Sequence, residues 1–293
     1  MSVIVKPPFS VRAIAVVLAM PAALIILVGL LLPLAMLFVF SFWKTSLSGM
    51  EPTFVLDNYR RFFAPIYVGL LVKSLTTGLL VTLILLLLGY PFAYFIARYG
   101  GRFRTLLLLL LIIPFWTGYL LRSFAWLPLL GQQGLLNSFL LWLGLLQEPS
   151  GAFLYNEFSV VLGLCYVFFP FMILPIYFVL ERADLALLEA AADLGASPSR
   201  AFWRVTVPLS MPGVVAGSIF VFMNTVGAYV TPKLLGGTSG IMYGNAIVDQ
   251  FSATYDLPFG ATLSFIMILS VMLFIFLLSR ISKTNLLNAS SPH

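Results

Sequence analysis

The chain has 293 residues, of which 61% are apolar and 9% charged, against roughly 45–50% and 25% in water-soluble domains. That balance excludes a soluble globular fold. A lone cysteine, Cys165, excludes an intrachain disulfide, and a lone histidine, His293, at the last position, leaves no zinc-binding His-Glu-x-x-His helix and no base for acyl transfer. No metal site is expected.

A bilayer core of about 30 Å needs roughly 20 helical residues, and six apolar runs meet that length: 14–42, 70–97, 105–127, 159–180, 214–235 and 259–279. The first follows Lys6 and Arg12 but is too long for a signal peptide and lacks a small-x-small cleavage site before Trp43-Lys44, so it reads as a retained span. The run 135–146 is shorter, lies between Gly134 and Glu148-Pro149, and reads as an interfacial helix. The expected fold is an all-α membrane protein of six transmembrane helices forming a single domain over 1–293. Pro91, Pro114, Pro170, Pro175 and Pro212 interrupt the spans or their ends. Such breaks mark a watered cavity, or they only kink helices for packing.

Six spans put both termini on one side. That side holds Lys6, Arg12, Arg98, Arg102, Arg104, Arg182, Arg200, Arg204, Arg280 and Lys283; the other holds Lys44, Arg60, Arg61, Lys73, Arg122 and Lys233. The excess of basic residues makes the first side, with both termini, cytoplasmic. Acids balance the bases on the outer side, so the net charge of +6 lies inside and needs no nucleic-acid partner.

The one long polar stretch, residues 181–213, falls between the fourth and fifth spans on that cytoplasmic side. Asp184 is placed to cap a helix over 185–194, with Gly195 as its left-handed stop. Ser197 caps a second start with Pro198 in the first helical position, and a short helix is expected through Ala201, Phe202 and Trp203 towards Pro208. Glu189-Ala190-Ala191, three residues, Gly195, nine residues and then Val205-Thr206-Val207-Pro208 resembles the EAA loop of inner-membrane permease subunits in binding-protein-dependent ABC importers, with valine at both aliphatic positions of the family's Ile-x-Leu-Pro.

The resemblance implies that Glu189, Ala190, Ala191, Gly195 and Pro208 couple the chain to a cytoplasmic ATPase. In that role Glu189 meets a basic residue, the two alanines allow close approach, and Gly195 sets the turn. It also implies two ATPase subunits carrying ATP and Mg, a second and similar permease subunit, and an extracytoplasmic substrate-binding protein, all in the inner membrane of a bacterium or at its faces. This chain has no Gly-x-x-x-x-Gly-Lys-[Ser/Thr] loop, so no cofactor and no ATPase site are expected on it. The plainer reading is that Glu189 is an exposed helix acid and the alanines only favour helix.

Further on, Val230, Pro232, Leu234, Leu235, Gly236 and Gly237, then Gly244, Asn245, Ile247, Gln250 and Phe251, resemble the Val-x-Pro-x-Leu-Leu-Gly-Gly and Gly-Asn-x-Ile-x-x-Gln-Phe segments of the spermidine/putrescine branch of those permeases. Asp57-Asn58-Tyr59 before the second span fits the same family. Many members carry an acid just before the Val-x-Pro segment where this chain has Gly227-Ala228-Tyr229. The branch resemblance makes a polyamine the leading substrate, and the missing acid, which would suit an amine, brings in an opine or an aminoalkylphosphonate on the same machinery as the alternative.

Aromatic faces and polar groups can stabilise a passing cation without trapping it. The candidates are Tyr166, Asn224, Thr225 and Tyr229 within spans, and Asp249, Tyr255 and Asp256 at the outer mouth. Interfacial tyrosine belts and water-facing aspartates are the competing explanation. Arg122, near Trp116 and Trp126, either snorkels to outer headgroups or favours an anionic group. An ion-coupled secondary transporter or channel is the alternative of another class, but no midspan acid or convincing repeat supports it.

Overall fold

The computed structural model describes residues 11–46, 49–184 and 186–289. Lys6, Leu185 and His293, which enter the expectations above, lie outside the described residues. The chain divides into two units, Met1–Phe63 with Gln250–Ile266 and Ala64–Asp249 with Met267–His293.

In the first unit, the span Leu18–Phe40 is apolar all round, and none of the residues in its apolar window is buried within the chain, as a helix bathed in lipid can show. Its end is fastened by polar groups. Asn58 Nδ2 donates to the carbonyls of Ser41 and Trp43 at 3.0 and 2.8 Å, and the Ser41 hydroxyl lies 2.8 Å from that of Tyr59. The Asp57-Asn58-Tyr59 tripeptide thus begins the short helix Asp57–Phe62 and ties it to the preceding span. A two-stranded antiparallel hairpin, Lys44–Ser46 with Gly49–Glu51, adds a β element to the all-α expectation.

The second unit is built on three long helices: Pro65–Tyr99, Glu157–Arg182 and Pro198–Val226, the second, fourth and fifth spans. They pack on one another around Val81, Leu85, Ile96, Leu164, Met172, Ile173 and Ile176, all essentially without exposed surface. In lipid, burying apolar surface supplies no drive for helix association, so close backbone approach must supply dispersion instead. Glycines provide it. A Cβ on Gly213 would meet the Pro175 carbonyl oxygen at 2.6 Å, one on Gly217 the Met172 carbonyl oxygen at 3.1 Å, and one on Gly78 a Val226 methyl at 2.9 Å. Within the same unit the sixth-span residues Val271 and Phe274 close against Phe222, whose ring stacks on Phe274 at 3.6 Å.

Two spans differ from the sequence expectation. In place of one third helix over 105–127, the chain forms Arg104–Ile112 and a 3-10 turn Ile113–Trp116, breaks at Thr117 and Gly118, and resumes at Tyr119. The two halves, Gly101–Trp116 and Tyr119–Trp142, meet at 98°. Pro114 has no amide to donate, and Thr117 Oγ1 takes its carbonyl at 2.7 Å, which ends the helix instead of merely kinking it. The Leu135–Trp142 helix, expected alone at the interface, belongs to that bent pair. Among the described residues, five helices are therefore long and apolar enough to span, or six if the bent pair counts as one.

The fifth span was expected over 214–235 after a separate short helix. Instead Pro198–Val226 is one continuous helix, and Val230–Leu235 is a separate one beyond the break at 227–229. Pro208 does not stop it because a π-helical turn, Phe202–Thr206, precedes it, and the Val207 amide reaches back to Phe202. That wide turn moves carbonyls out of the way of the proline ring. The first span uses the same device, with the π turn Leu27–Leu31 ahead of Pro33.

The glycine contacts yield a direct check. Gly213→Val should force the fourth and fifth spans apart and cost about 1–3 kcal/mol, seen as a lowered thermal midpoint in detergent, whereas Gly69→Ala, which meets nothing within 4 Å, should leave it unchanged.

Candidate functional site

The polar stretch after the fourth span begins from a fixed base. The Arg104 guanidinium forms an ion pair with Glu181 and donates through Nε to the buried Tyr177 hydroxyl. Asp184 Oδ1 then accepts from the Ala186 amide at 2.9 Å, capping the helix Ala186–Asp193. Its other end is a complete Schellman closure, with the Ala196 amide on the Ala191 carbonyl at 2.9 Å and the Gly195 amide on that of Ala192 at 2.8 Å. Gly195 holds φ +79, in the left-handed region. Ser197 Oγ accepts from Arg200 at 3.4 Å with Pro198 in the first position, opening the long fifth helix.

Five expected residues thus sit on one helix–turn–helix: Glu189 and Ala190 exposed, Ala191 half-buried, Gly195 exposed in the turn, and Pro208 half-buried on the fifth helix. Around them Leu187, Leu194 and Trp203 are 48, 89 and 66% exposed. Large apolar side chains on a charged segment form a surface suited to a protein partner.

At the far end of the fifth helix, Asn224 and Tyr229 share a cavity of about 210 Å³ with Tyr119, Phe168, Gly227 and Ala228. Asn224 Nδ2 donates to the Phe220 carbonyl at 2.7 Å, which leaves the side-chain oxygen to accept. The wall is held by the downstream motif. Asn245 Nδ2 donates to the Tyr229 carbonyl at 2.8 Å, and Gly244 lies so close to Ala228 that a Cβ would come within 2.7 Å of its carbonyl oxygen. Behind it the Thr231 hydroxyl lies 2.9 Å from those of both Tyr119 and Ser123. The cavity therefore offers aromatic faces, hydroxyls and an amide oxygen, and no carboxylate.

The remaining candidates lie elsewhere. Thr225 is buried, and its hydroxyl has no hydrogen-bond partner among the described residues. Tyr166 packs edge-on against Trp126 at 5.5 Å and lines a separate cavity that also holds Arg122. Asp249 stands 3.9 Å from Lys233, both exposed. Tyr255 is exposed with φ +53. Asp256 is engaged within its own unit: it accepts from Thr45 at 2.6 Å, pairs with Arg61 at 2.5 Å and caps the sixth span through the Phe259 amide at 3.2 Å. Sequence reasoning did not single out Tyr119, Ser123 and Thr231, which carry no local pattern; Asn245 was marked by its motif but not as a wall residue.

The loop geometry sets an expectation. Gly195→Val should strain the left-handed turn by about 1–2 kcal/mol and speed amide exchange over Ala186–Asp193, without altering exchange in the Glu157–Arg182 helix.

Residues 89–284 match the family described as binding-protein-dependent transport system inner membrane component. The chain is 42% identical over 236 residues, 80% of its length and 82% of the relative's, to the spermidine/putrescine transport system permease protein PotB of Salmonella typhimurium strain LT2. It is 34% identical over 245 residues, 79% and 77% of the two lengths, to the inner membrane ABC transporter permease protein YdcU of Escherichia coli K12. Among solved structures it is similar to a chain of a bacterial ABC transporter that imports the acidic polysaccharide alginate, with a TM-score of 0.74, 14% identity, and coverage of 93% and 96%.

Proposed function

The chain belongs to the binding-protein-dependent transport system inner membrane components, multi-pass permease subunits of bacterial ABC importers without an ATPase site of their own, and from that premise we propose that it forms half of a polyamine route. The identity to PotB over four-fifths of the chain carries the substrate class. The Asn224–Tyr229 cavity fits it chemically, since aromatic faces and an amide oxygen attract an alkylammonium by cation–π and hydrogen-bonding terms. Without a carboxylate, the cation is not trapped. This reading places Asn224 and Tyr229 on the route, leaves the buried Thr225 off its surface, and puts Asp249 and Tyr255 towards the outer side where an extracytoplasmic binding protein delivers substrate. Asp256 braces its own unit through Thr45, Arg61 and the Phe259 amide.

The whole chain acts as one transmembrane domain with both termini and the 181–213 loop in the cytosol. The loop docks on one of two ATPase subunits, which bind ATP and Mg, and a second, similar permease completes the pathway. Glu189 meets a basic residue of the ATPase, Ala190 and Ala191 let the surfaces close, Gly195 fixes the turn, and Pro208 continues the motion into the fifth span. An inside-negative potential of about 100 mV favours dication entry by roughly 4.6 kcal/mol, and ATP coupling drives accumulation beyond that.

Proteoliposomes holding the co-purified complex and its binding protein test this, with putrescine, spermidine, an opine and an aminoalkylphosphonate offered in turn. Glu189→Lys and Gly195→Asp should each lower binding-protein-stimulated ATP hydrolysis and uptake together; unchanged uptake in both would remove the docking role. Tyr229→Ala should raise the half-saturating polyamine concentration about threefold to tenfold, with Tyr229→Phe close to native. Uptake of the opine or the aminoalkylphosphonate but no polyamine would reassign the substrate and leave the docking role standing.

A further inference from the structure

The second cavity, of about 290 Å³, lies between the second, third and fourth spans beside the break in the third. Its walls include Phe92, Leu107, Leu110, Phe115 and Phe169, and its only charged lining residue is Arg122. The guanidinium sits 4.4 Å from the centre of the Phe115 ring, and Nε is buried without a hydrogen-bond partner. No carboxylate pairs with Arg122 among the described residues.

A charged group within a membrane segment is costly unless an anion or the interface answers it. Trp116, on the other side of the break, is 81% exposed, as tryptophans at the headgroup level are. Leu110 is 57% exposed and opens the apolar wall to the surroundings. One class of molecule carries an anionic head beside an apolar tail and is present around every spanning protein. We propose that this cavity binds an anionic phospholipid, with its phosphate on Arg122 and an acyl chain along Leu107, Leu110 and Phe115.

The pocket shares no lining residue with the Asn224–Tyr229 cavity, and it gives Tyr166 a place beside the lipid instead of on the route. A lipid in this position also fills the space opened by the third-span break and holds the bend. The inference is independent of the substrate assigned above.

The intact complex, reconstituted in nanodiscs of phosphatidylcholine with a minor share of phosphatidylglycerol, is extracted into mild detergent and its retained lipids are measured by native mass spectrometry. Native complex should retain phosphatidylglycerol over phosphatidylcholine, and Arg122→Gln should lower that preference about fivefold, with Arg122→Lys in between. Leu110→Trp, which blocks the tail groove and keeps the charge, should lower retention of the same lipid. Equal phosphatidylglycerol retention in native, Arg122→Gln and Leu110→Trp complexes would overturn the proposal. So would a native complex that retains no phosphatidylglycerol while Arg122 forms an ion pair with a carboxylate of the partner permease.

Discussion

The close backbone contact of the fourth and fifth spans is the constraint on which the rest depends. In water, apolar burial would hold these helices together at about 25 cal/mol per Å²; in lipid that term vanishes, and dispersion between surfaces that fit must do the holding. Gly213 brings the fifth helix against Pro175 and Ile176 so closely that any side chain would collide with backbone, and Gly217 leaves a Cβ only 3.1 Å from the Met172 carbonyl oxygen. The fourth span contributes backbone from the other side, the Pro175 carbonyl and the Ile176 Cα. Gly213 and Gly217 are thus packing devices.

That contact lies midway along a rod. Pro198–Val226 has 29 residues, about 44 Å at 1.5 Å per residue, enough to cross the bilayer core with a turn to spare at each side. One end carries the Schellman-closed turn at Gly195 and the exposed Leu194 and Trp203; the other carries Asn224 and the cavity wall at Tyr229. Because the π turn lets the helix run through Pro208 without a break, a displacement of its first turn at Pro198 becomes a displacement of Asn224 near its other end. A hinge at Pro208 would dissipate the same motion. On the docking role proposed above, closure of an ATPase under the loop has a mechanical route along this helix, as rigid-body transitions require.

Much of this was legible in the residues, for reasons that differ by element. Spans two and four were readable within a few residues because a long apolar run bounded by Arg98, Glu157 or Arg182 admits one interpretation. Asp184, Gly195, Ser197 and Pro198 could be read one by one, since capping is local chemistry. The break at Thr117–Gly118 could not, because whether Pro114 kinks or ends a helix depends on which groups its own carbonyl meets next, and here the amide and hydroxyl of Thr117 both take it in place of a continuing helical turn. The continuity of the fifth helix was hidden for the opposite reason: a proline reads as a stop unless a π turn prepares for it. The cavity wall was half visible. Asn245 and Gly244 stood out as motif positions, but their task of fixing Tyr229 and Ala228 is a contact across 16 residues, and the hydroxyls of Tyr119, Ser123 and Thr231 meet only in three dimensions.

On the role proposed above, the exposed helix–turn–helix docks on an ATPase and the fifth span carries its motion. A photo-crosslinking side chain placed at Leu194, which is almost fully exposed at the tip, reports on it most directly in the intact, binding-protein-supplied complex. The account predicts a covalent adduct with the ATPase subunit whose yield changes between the nucleotide-free and ATP-bound states. Adducts with lipid or detergent alone, at the same yield in both states, would contradict it.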